Sequence, residues 1–475
     1  MGWFSWKSLW EFDEVLNRET VSEHLPYRAY DEERGLFYMA HVNNDAIGAC
    51  WMASPLLGLS DDMLRKFESM FRLVFPEGST MQFSFLASEN IEPLLDRLVA
   101  MRRACSPDSP YVVLAEEIRR FYLESQKSSL IPSSKLRPRD FQLFVSIGVP
   151  ISRSLDTKKA LDEEADKVLE LVQSIESSLQ TGNLSLRRLD DLDLVTLMYF
   201  LCNPSHGYEA RPHRVQEEEP LNEQMVRFDT VLEQDRDGFT LDGQHVRSLT
   251  VQEFPDPEDS TWHGSKNREL IGSLRSIMDQ ITCRFMITLN VVFLDSMTER
   301  TRLSQKHILL TNQYSPTLAK MIPPLAKKKL NFDLAVKQLE DGATSIGAYY
   351  HILVFGATAE AVQNYAQTVI QHYAKFNWTV SPDPVISLKL FLHSLPMALP
   401  PDVGYLRNSL MRLKTLNSSV LPHLLPVVGD WPGFGDPVCI LTSRSGQIVP
   451  FDPFSNDSGN YSMCVAGRSG SGKSF

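Results

Sequence analysis

A chain of 475 residues, 43% hydrophobic and 22% charged, is too long for one core and too apolar to stay unfolded, so two to four structural units are expected. A formal net charge of −12 argues against a general electrostatic grip on nucleic acid. The six cysteines (Cys50, Cys105, Cys202, Cys283, Cys439 and Cys464) show no CxxC and no zinc-finger spacing, and read as reduced thiols of a cytoplasmic protein.

The opening MGWFSWKSLWEFDE lacks the basic and then apolar order of a signal peptide. It sets Trp3, Trp6 and Trp10 at helical spacing, which predicts a helix docked on its own core; a membrane surface or a partner's groove is the alternative. Glu11, Asp13 and Glu14 disfavour an anionic bilayer. The longest charge-free runs, 46–60 and 342–359, contain Pro55 in one case and Thr344, Ser345 and His351 in the other. They read as strand and turn, not as the roughly 20 apolar residues of a membrane helix. A soluble chain is expected.

Next come GLFYMAHV and IGACWMAS, two β-rich runs joined by NND, which predict a hairpin. LSDDMLRKFESMFRLVF spaces Met63, Phe67, Met70, Phe71 and Val74 as on an amphipathic helix capped by Ser60. STMQFSFLAS alternates Met81, Phe83 and Phe85 and predicts a half-buried strand. Helices are predicted at 91–103 and 111–128, a strand over RDFQLFVSIGVPI, and helices again at 157–180 and 186–201.

Residues 203–265, rich in Pro, Gly and charge, predict a loop-rich connection with a few short strands, its Glu217–Glu219 run a solvated face. CRFMITLNVVFLD then reads as a buried strand, and 297–339 as a helical region broken at MIPPLAKKKL. The triplet Lys327–Lys329 reads as a solvated helix end rather than a contact for an acidic partner. SIGAYYHILVFG predicts a strand and TAEAVQNYAQTVIQHYAKF a helix. From residue 421 a Pro/Gly-rich linker leads to VCILTSRSGQIVPFDPF, two strands turned at Arg444–Gly446. Cys202, His206 and His213 share a stretch that could ligate a metal, without a clear fourth ligand.

The sharpest chemistry stands at GRSGSGKS: Gly467, Arg468, Ser469, Gly470, Ser471, Gly472, Lys473 and Ser474 fit G-x-x-x-x-G-K-[ST] without a gap. Glycines there permit backbone that turns amide N–H groups toward phosphate oxygens. Lys473 would neutralise the β- and γ-phosphates of ATP and act in catalysis, and the Ser474 hydroxyl would hold Mg²⁺. The apolar run 461–466 before the loop predicts a buried strand. An acidic magnesium partner, a group to orient water and an arginine finger find no match in the sequence. The chain therefore reads as the N-terminal part of a larger protein.

HLPYRAYDEERGLFYM, CRFMITLNVVFLD and FDPFSNDSGNYSMCVAGRSGSGKSF together resemble the TraC-type conjugative transfer ATPases of F-type type IV secretion systems. The resemblance implies a docking region for inner-membrane components followed by a RecA-like motor. That motor would assemble, typically as a hexamer, and energise pilus assembly and transfer from the cytoplasmic face of the inner membrane, with peripheral attachment. Sequence-specific nucleic-acid binding is not expected. An unrelated P-loop NTPase, a DNA translocase or kinase with a regulatory N-terminal region, is the competing reading.

The expected fold is an α+β region of two related α/β modules, then the first strand and P-loop of a RecA-like domain. The expected boundaries are an arm at 1–30, modules at 31–202 and 266–420 separated by the connection 203–265, and the linker with the motor's start at 421–475.

Overall fold

A computed structural model describes residues 20–132, 134, 136–152, 158–255, 262–273, 280–313, 329, 332–333, 336–337, 342–455, 461–462, 464–467 and 470. The chain divides into two compact units, Met1–Ser88 with Phe141–Gly429, and Glu89–Asp140 with Asp430–Phe475.

In chain order the elements are β1 (Tyr27–Asp31), β2 (Leu36–Ala40), β3 (Asp45–Ala53), α1 (Asp61–Phe71), β4 (Thr80–Ser88), α2 (Glu92–Cys105), α3 (Pro110–Lys127), β5 (Asp140–Ile151), α4 (Lys158–Thr181), β6 (Leu186–Arg188), α5 (Asp191–Cys202) and α6 (Leu221–Met225). There follow β7 (Leu232–Gln234), β8 (Phe239–Leu241), β9 (Gln244–Glu253), β10 (Phe285–Phe293), α7 (Ser296–Gln313), β11 (Ser345–Gly356), α8 (Ala359–Ala374), β12 (Thr379–Pro382), α9 (Ser387–Ser394), α10 (Val403–Asn408), β13 (Lys414–Asn417), β14 (Cys439–Thr442) and β15 (Ile448–Phe451).

The first unit is organised by one 13-stranded sheet whose spine runs β1-β2-β3-β5-β4-β10-β11-β9-β8-β7. Strands from the two stretches expected as separate modules meet in its middle, where β4 and β10 pair antiparallel from Thr80↔Val292 to Ala87↔Phe285. The order outward from that seam is the same on both sides. β5 then β3 flank β4, and β11 then β9 flank β10; β6 adds to β3 as β12 adds to β9. Trp51↔Arg188 on one side has Val251↔Val380 as its counterpart on the other.

β4 is buried over its whole length, where alternation had predicted a half-buried strand. A strand in the middle of a sheet covered on both faces has no solvent side. Met81, Phe83, Phe85 and Ala87 enter one apolar cluster with residues of α1, α4 and α8, among them Phe67, Val172, Ile175 and Val369. The residues between them point the other way, toward α5 and α9, and here the sheet is partly polar. Gln82 Nε2 donates to Asn290 Oδ1 (2.9 Å) and to the His393 carbonyl (2.7 Å), and the Asn290 amide meets His351 Nδ1 at 3.2 Å.

Local signals position the helices as expected. Ser60 accepts from Met63 N at the start of α1, and Thr358 accepts from Ala361 N at the start of α8. The hairpin after residue 35 pairs Phe37 with Gly48. Two stretches differ. Residues 186–201 were read as one helix, but Leu186–Arg188 add to the sheet edge and the helix starts at Asp191 behind an Asp190–Asp193 capping box. Residues 203–265, read as a connection, contain β9, a ten-residue strand paired with both β11 and β12. Its interior is buried because α8 and α9 cover it, which composition averaged over sixty residues conceals.

The second unit contains α2 and α3, a helical pair, with the β14–β15 hairpin. Ile448 packs with Ile91 and Leu95, and Ile440 packs against Leu98, Val99 and Ala115. The predicted turn at Arg444–Gly446 closes the hairpin, with Gly446 at φ +92°. Among the described residues no helix is long and apolar enough to cross a membrane.

Candidate functional site

The lead-in to the GxxxxGKS loop is built in the second unit from two distant parts of the sequence. Arg97 Nη2 donates to the Gly435 carbonyl (2.9 Å) and Arg102 Nη2 to the Val438 carbonyl (2.7 Å). Tyr122 Oη meets Thr442 Oγ1 at 3.0 Å. Arg139 gives its backbone N–H to the Gly446 carbonyl and receives the Ile448 N–H, both at 2.9 Å. Its Nε reaches the Ser445 carbonyl at 2.9 Å, and Gln447 Nε2 donates to Asp140 Oδ1 at 3.1 Å. The hairpin leading to the loop is thus gripped by residues on α2 and α3 and at the start of β5.

The segment WPGFGDP crosses β15 at close range. A Cβ on Gly433 would lie 2.2 Å from the Pro450 carbonyl oxygen, and one on Gly435 would lie 2.6 Å from Asp452 Cβ. Both glycines have positive φ, +87° and +68°, so they meet a conformational as well as a steric requirement. Trp431 and Phe434 then cluster with Phe451, the first residue of the Phe-Asp-x-Phe lead-in. Asp452 Oδ1 accepts from Phe454 N (2.9 Å) and turns the chain after β15.

Of the loop itself, Gly467 and Gly470 are described. Gly470 adopts φ +77° with open space where a side chain would stand. Arg468, Ser469, Ser471, Gly472, Lys473 and Ser474 lie outside the described residues. The run 461–466, predicted as a buried strand, is exposed where it is described, with Tyr461 65% and Val465 67% accessible. A strand of a parallel sheet is buried only when neighbours flank it and helices cover it, and no described strand pairs with this run.

The other sequence candidates stay apart. Cys202 lies in the core, and burial pushes its thiol up to about 12. His206 sits beside Asp242 (Nδ1–Oδ2 3.3 Å) and Asp229, while His213 is exposed. No group of three His, Cys, Asp or Glu side chains suited to a metal ion occurs among the described residues. Lys329 pairs with Asp333 at 3.1 Å in a part-buried setting. Trp3, Trp6, Trp10, Lys327 and Lys328 lie outside the described residues.

One feature of the first unit was not singled out in the sequence. A cavity of about 320 Å³ opens beside α9, with Lys389 and His393 on its wall. The signal was present: two titratable residues four apart in the largely apolar run LKLFLHSLPMALP.

With this geometry in hand, comparison with known proteins defines the class. A family model described as TraC protein matches residues 21–399, most of the chain, and the chain belongs to that family. Protein TraC of Escherichia coli (strain K12) is 23% identical over 467 residues, which is 94% of this chain and 51% of that protein. The chain therefore spans about half the length of the curated relative it matches.

Proposed function

We propose that the chain is the docking and assembly region of an ATP-driven type IV secretion motor that serves conjugative pilus assembly and the transfer of DNA or protein. Residues 467–474 are its nucleotide loop and open a RecA-like domain. The observation that carries this reading is the coexistence, in one chain, of a TraC-family match over 21–399 and a gapless GxxxxGKS sequence at 467–474.

The residues present suit ATP and Mg²⁺. The donor set of the loop is that of a phosphate cradle, and Gly470 already holds the left-handed backbone such a cradle needs. Gly467, Arg468, Ser469, Gly470, Ser471 and Gly472 would supply backbone N–H groups to the phosphates, Lys473 the compensating charge, and Ser474 an oxygen for Mg²⁺. The bound nucleotide would supply the phosphoryl-transfer chemistry that drives the motor.

As partners, the reading names inner-membrane secretion components and further copies of the chain, a hexamer for the whole motor. It places the protein in the cytoplasm, peripherally on the inner membrane. A net charge of −12 supports a protein partner over sequence-specific DNA binding.

The test is a Lys473→Ala substitution in the protein as the cell makes it. Pilus formation and transfer should be lost while the protein still accumulates. Transfer at the normal level would overturn the motor reading, and a pull-down that recovers no inner-membrane secretion component would overturn the docking role. DNA-stimulated turnover would favour a translocase instead.

A further inference from the structure

β7 ends the spine of the large sheet and, among the described residues, pairs with β8 alone. The Asp235 N–H bonds the Gly238 carbonyl (3.1 Å), and the Asp242 N–H bonds the Val231 carbonyl (2.7 Å) at the other end of the ladder. In an antiparallel pair such bonds fall on alternate residues, so Val231, Glu233 and Asp235 spend their backbone groups on β8. The N–H and C=O groups of Leu232 and Gln234 therefore point outward from the sheet edge, and no described strand receives them.

Both ends of this edge carry apolar side chains. At one, Val385 gives its N–H to the Arg236 carbonyl (2.8 Å), and its own carbonyl accepts from Gln234 Nε2 (2.7 Å). These bonds hold it at φ +71°, a conformation that β-branched residues avoid, with its side chain 53% exposed. At the other end Val231 is 57% exposed and Phe228, three residues earlier, 97%. Large apolar groups thus remain in water around an open strand edge, where sheets usually place charge or cover.

Leu232 turns inward and packs against the apolar cluster that α5 and α9 share. Val231, Glu233 and Asp235 alternate with it on the opposite face. Glu233 is exposed and makes no ion pair among the described residues. Asp235 Oδ1 accepts only backbone N–H groups of the turn, from Asp237 (2.7 Å) and Gly238 (2.6 Å), whereas Asp237 itself is paired with Arg247 (3.5 Å). A short charged edge strand is one way to block pairing altogether. Here, however, the charge facing the edge has a single sign. A second copy of β7 would set Glu233 and Asp235 against acidic side chains, in a chain whose net charge is −12. A strand with cations at those positions meets the opposite sign.

We propose that β7 accepts one more strand, an extended segment of a protein partner with Lys or Arg opposite Glu233 and Asp235 and an apolar residue opposite Val231. The outward backbone groups of Leu232 and Gln234 give the strand its hydrogen bonds, and the alternate side chains give the choice of partner. The site stands apart from the nucleotide loop, so Lys473→Ala should leave this binding unchanged.

The probe is a fluorescently labelled peptide, acetyl-Val-Thr-Arg-Thr-Arg-Thr-Val-amide, whose pattern reads the same in either strand direction. Anisotropy with the full chain should show it binding about tenfold more tightly than the peptide with glutamate in place of both arginines. N-methylation of one alternating set of its residues should abolish binding, and of the other set should not. Hydrogen exchange read by mass spectrometry should slow over residues 231–235. Glu233→Lys should erase the preference for the basic peptide and Glu233→Asp should keep it, with thermal transitions confirming that both variants fold. Equal binding of the two peptides, indifference to both N-methylated forms, or slowing confined to other segments would overturn the proposal. So would an edge already slow to exchange in the free chain and released on dilution, since a second copy would then cover it. The exchange readout decides even if the Glu233 variants fail to fold.

Discussion

Ser84 and Thr288 face each other in the middle of the β4–β10 ladder, hydroxyl oxygens 3.2 Å apart and both side chains buried. This pair sits at the seam of the sheet, where the two sequence-distant sets of strands meet. Ser84→Ala leaves the Thr288 hydroxyl without that partner and should cost about 1–3 kcal/mol. Adding Thr288→Val should restore part of the loss, because an apolar pair leaves no orphaned hydroxyl. Urea denaturation of the single and double variants measures the difference.

Asp383 forms a second buried polar centre. Its carboxylate, fully buried, accepts from Thr250 Oγ1 (2.6 Å) and from Arg412 Nε (3.0 Å). Burial raises its pKa, while Thr250, Arg412 and Ser248 oppose the rise. Arg412→Ala removes the opposing charge and should destabilise the fold by about 3–5 kcal/mol at neutral pH. A raised carboxyl pKa gives a contribution that is complete below the unfolded-state value and is lost as pH rises through the folded-state value. The deficit of the variant should therefore shrink on acidification, and the denaturation midpoints of both proteins at pH 7 and pH 5 test it.

His351 contributes the opposite dependence. Burial lowers its pKa to about 3, so the folded state resists a proton that the unfolded chain accepts near 6.5. Its contribution is present above 6.5 and is lost as pH falls from there toward 3. His393 is shifted in the same direction, first by burial and then by Lys389. His351→Gln should flatten the stability-versus-pH slope in this window, as read from urea midpoints between pH 7 and pH 4.

The thiols divide cleanly. Cys105, Cys439 and Cys464 are exposed, whereas Cys50, Cys202 and Cys283 are buried. A native chain should react rapidly with a thiol reagent at the first three, and at the others only after denaturation; peptide mapping by mass spectrometry identifies them. Rapid native labelling of Cys50 or Cys202 would contradict the burial of the α5 side of the sheet.

Gly48 tests the closeness of β3 to its neighbour. A Cβ there would stand 2.0 Å from the Ile147 carbonyl oxygen and 3.1 Å from Met39 Cε. Gly48→Ala must part β3 from β5, and should cost at least the about 1–3 kcal/mol of ordinary overpacking. Soluble yield and the thermal midpoint are the measurements.

Much of this architecture could be read from local signals. The Ser60 cap, the β2–β3 hairpin and the turn at Arg444–Gly446 between β14 and β15 need only a few neighbouring residues, and each is present. What escaped the reading is set by partners far away in sequence. β4 looks half-buried by its own pattern and is fully buried because β10 and the covering helices complete its surroundings. Leu186–Arg188 looks helical by continuity, yet these residues find Trp51 across a sheet edge. The GxxxxGKS sequence is legible as chemistry, whereas the grip of Arg97, Arg102 and Arg139 on its lead-in carries no signature in the chain.

The second unit draws its helices and its hairpin from opposite ends of the sequence, and this has a consequence during synthesis. α3 ends at Lys127, while β14 begins only at Cys439. At ~5–20 residues per second, the apolar faces of Leu95, Leu98 and Val99 leave the ribosome on the order of tens of seconds before Ile440 and Ile448 exist to cover them. In that interval the nascent chain presents a sticky helical pair, and a chaperone that shields it would govern how much of the protein matures.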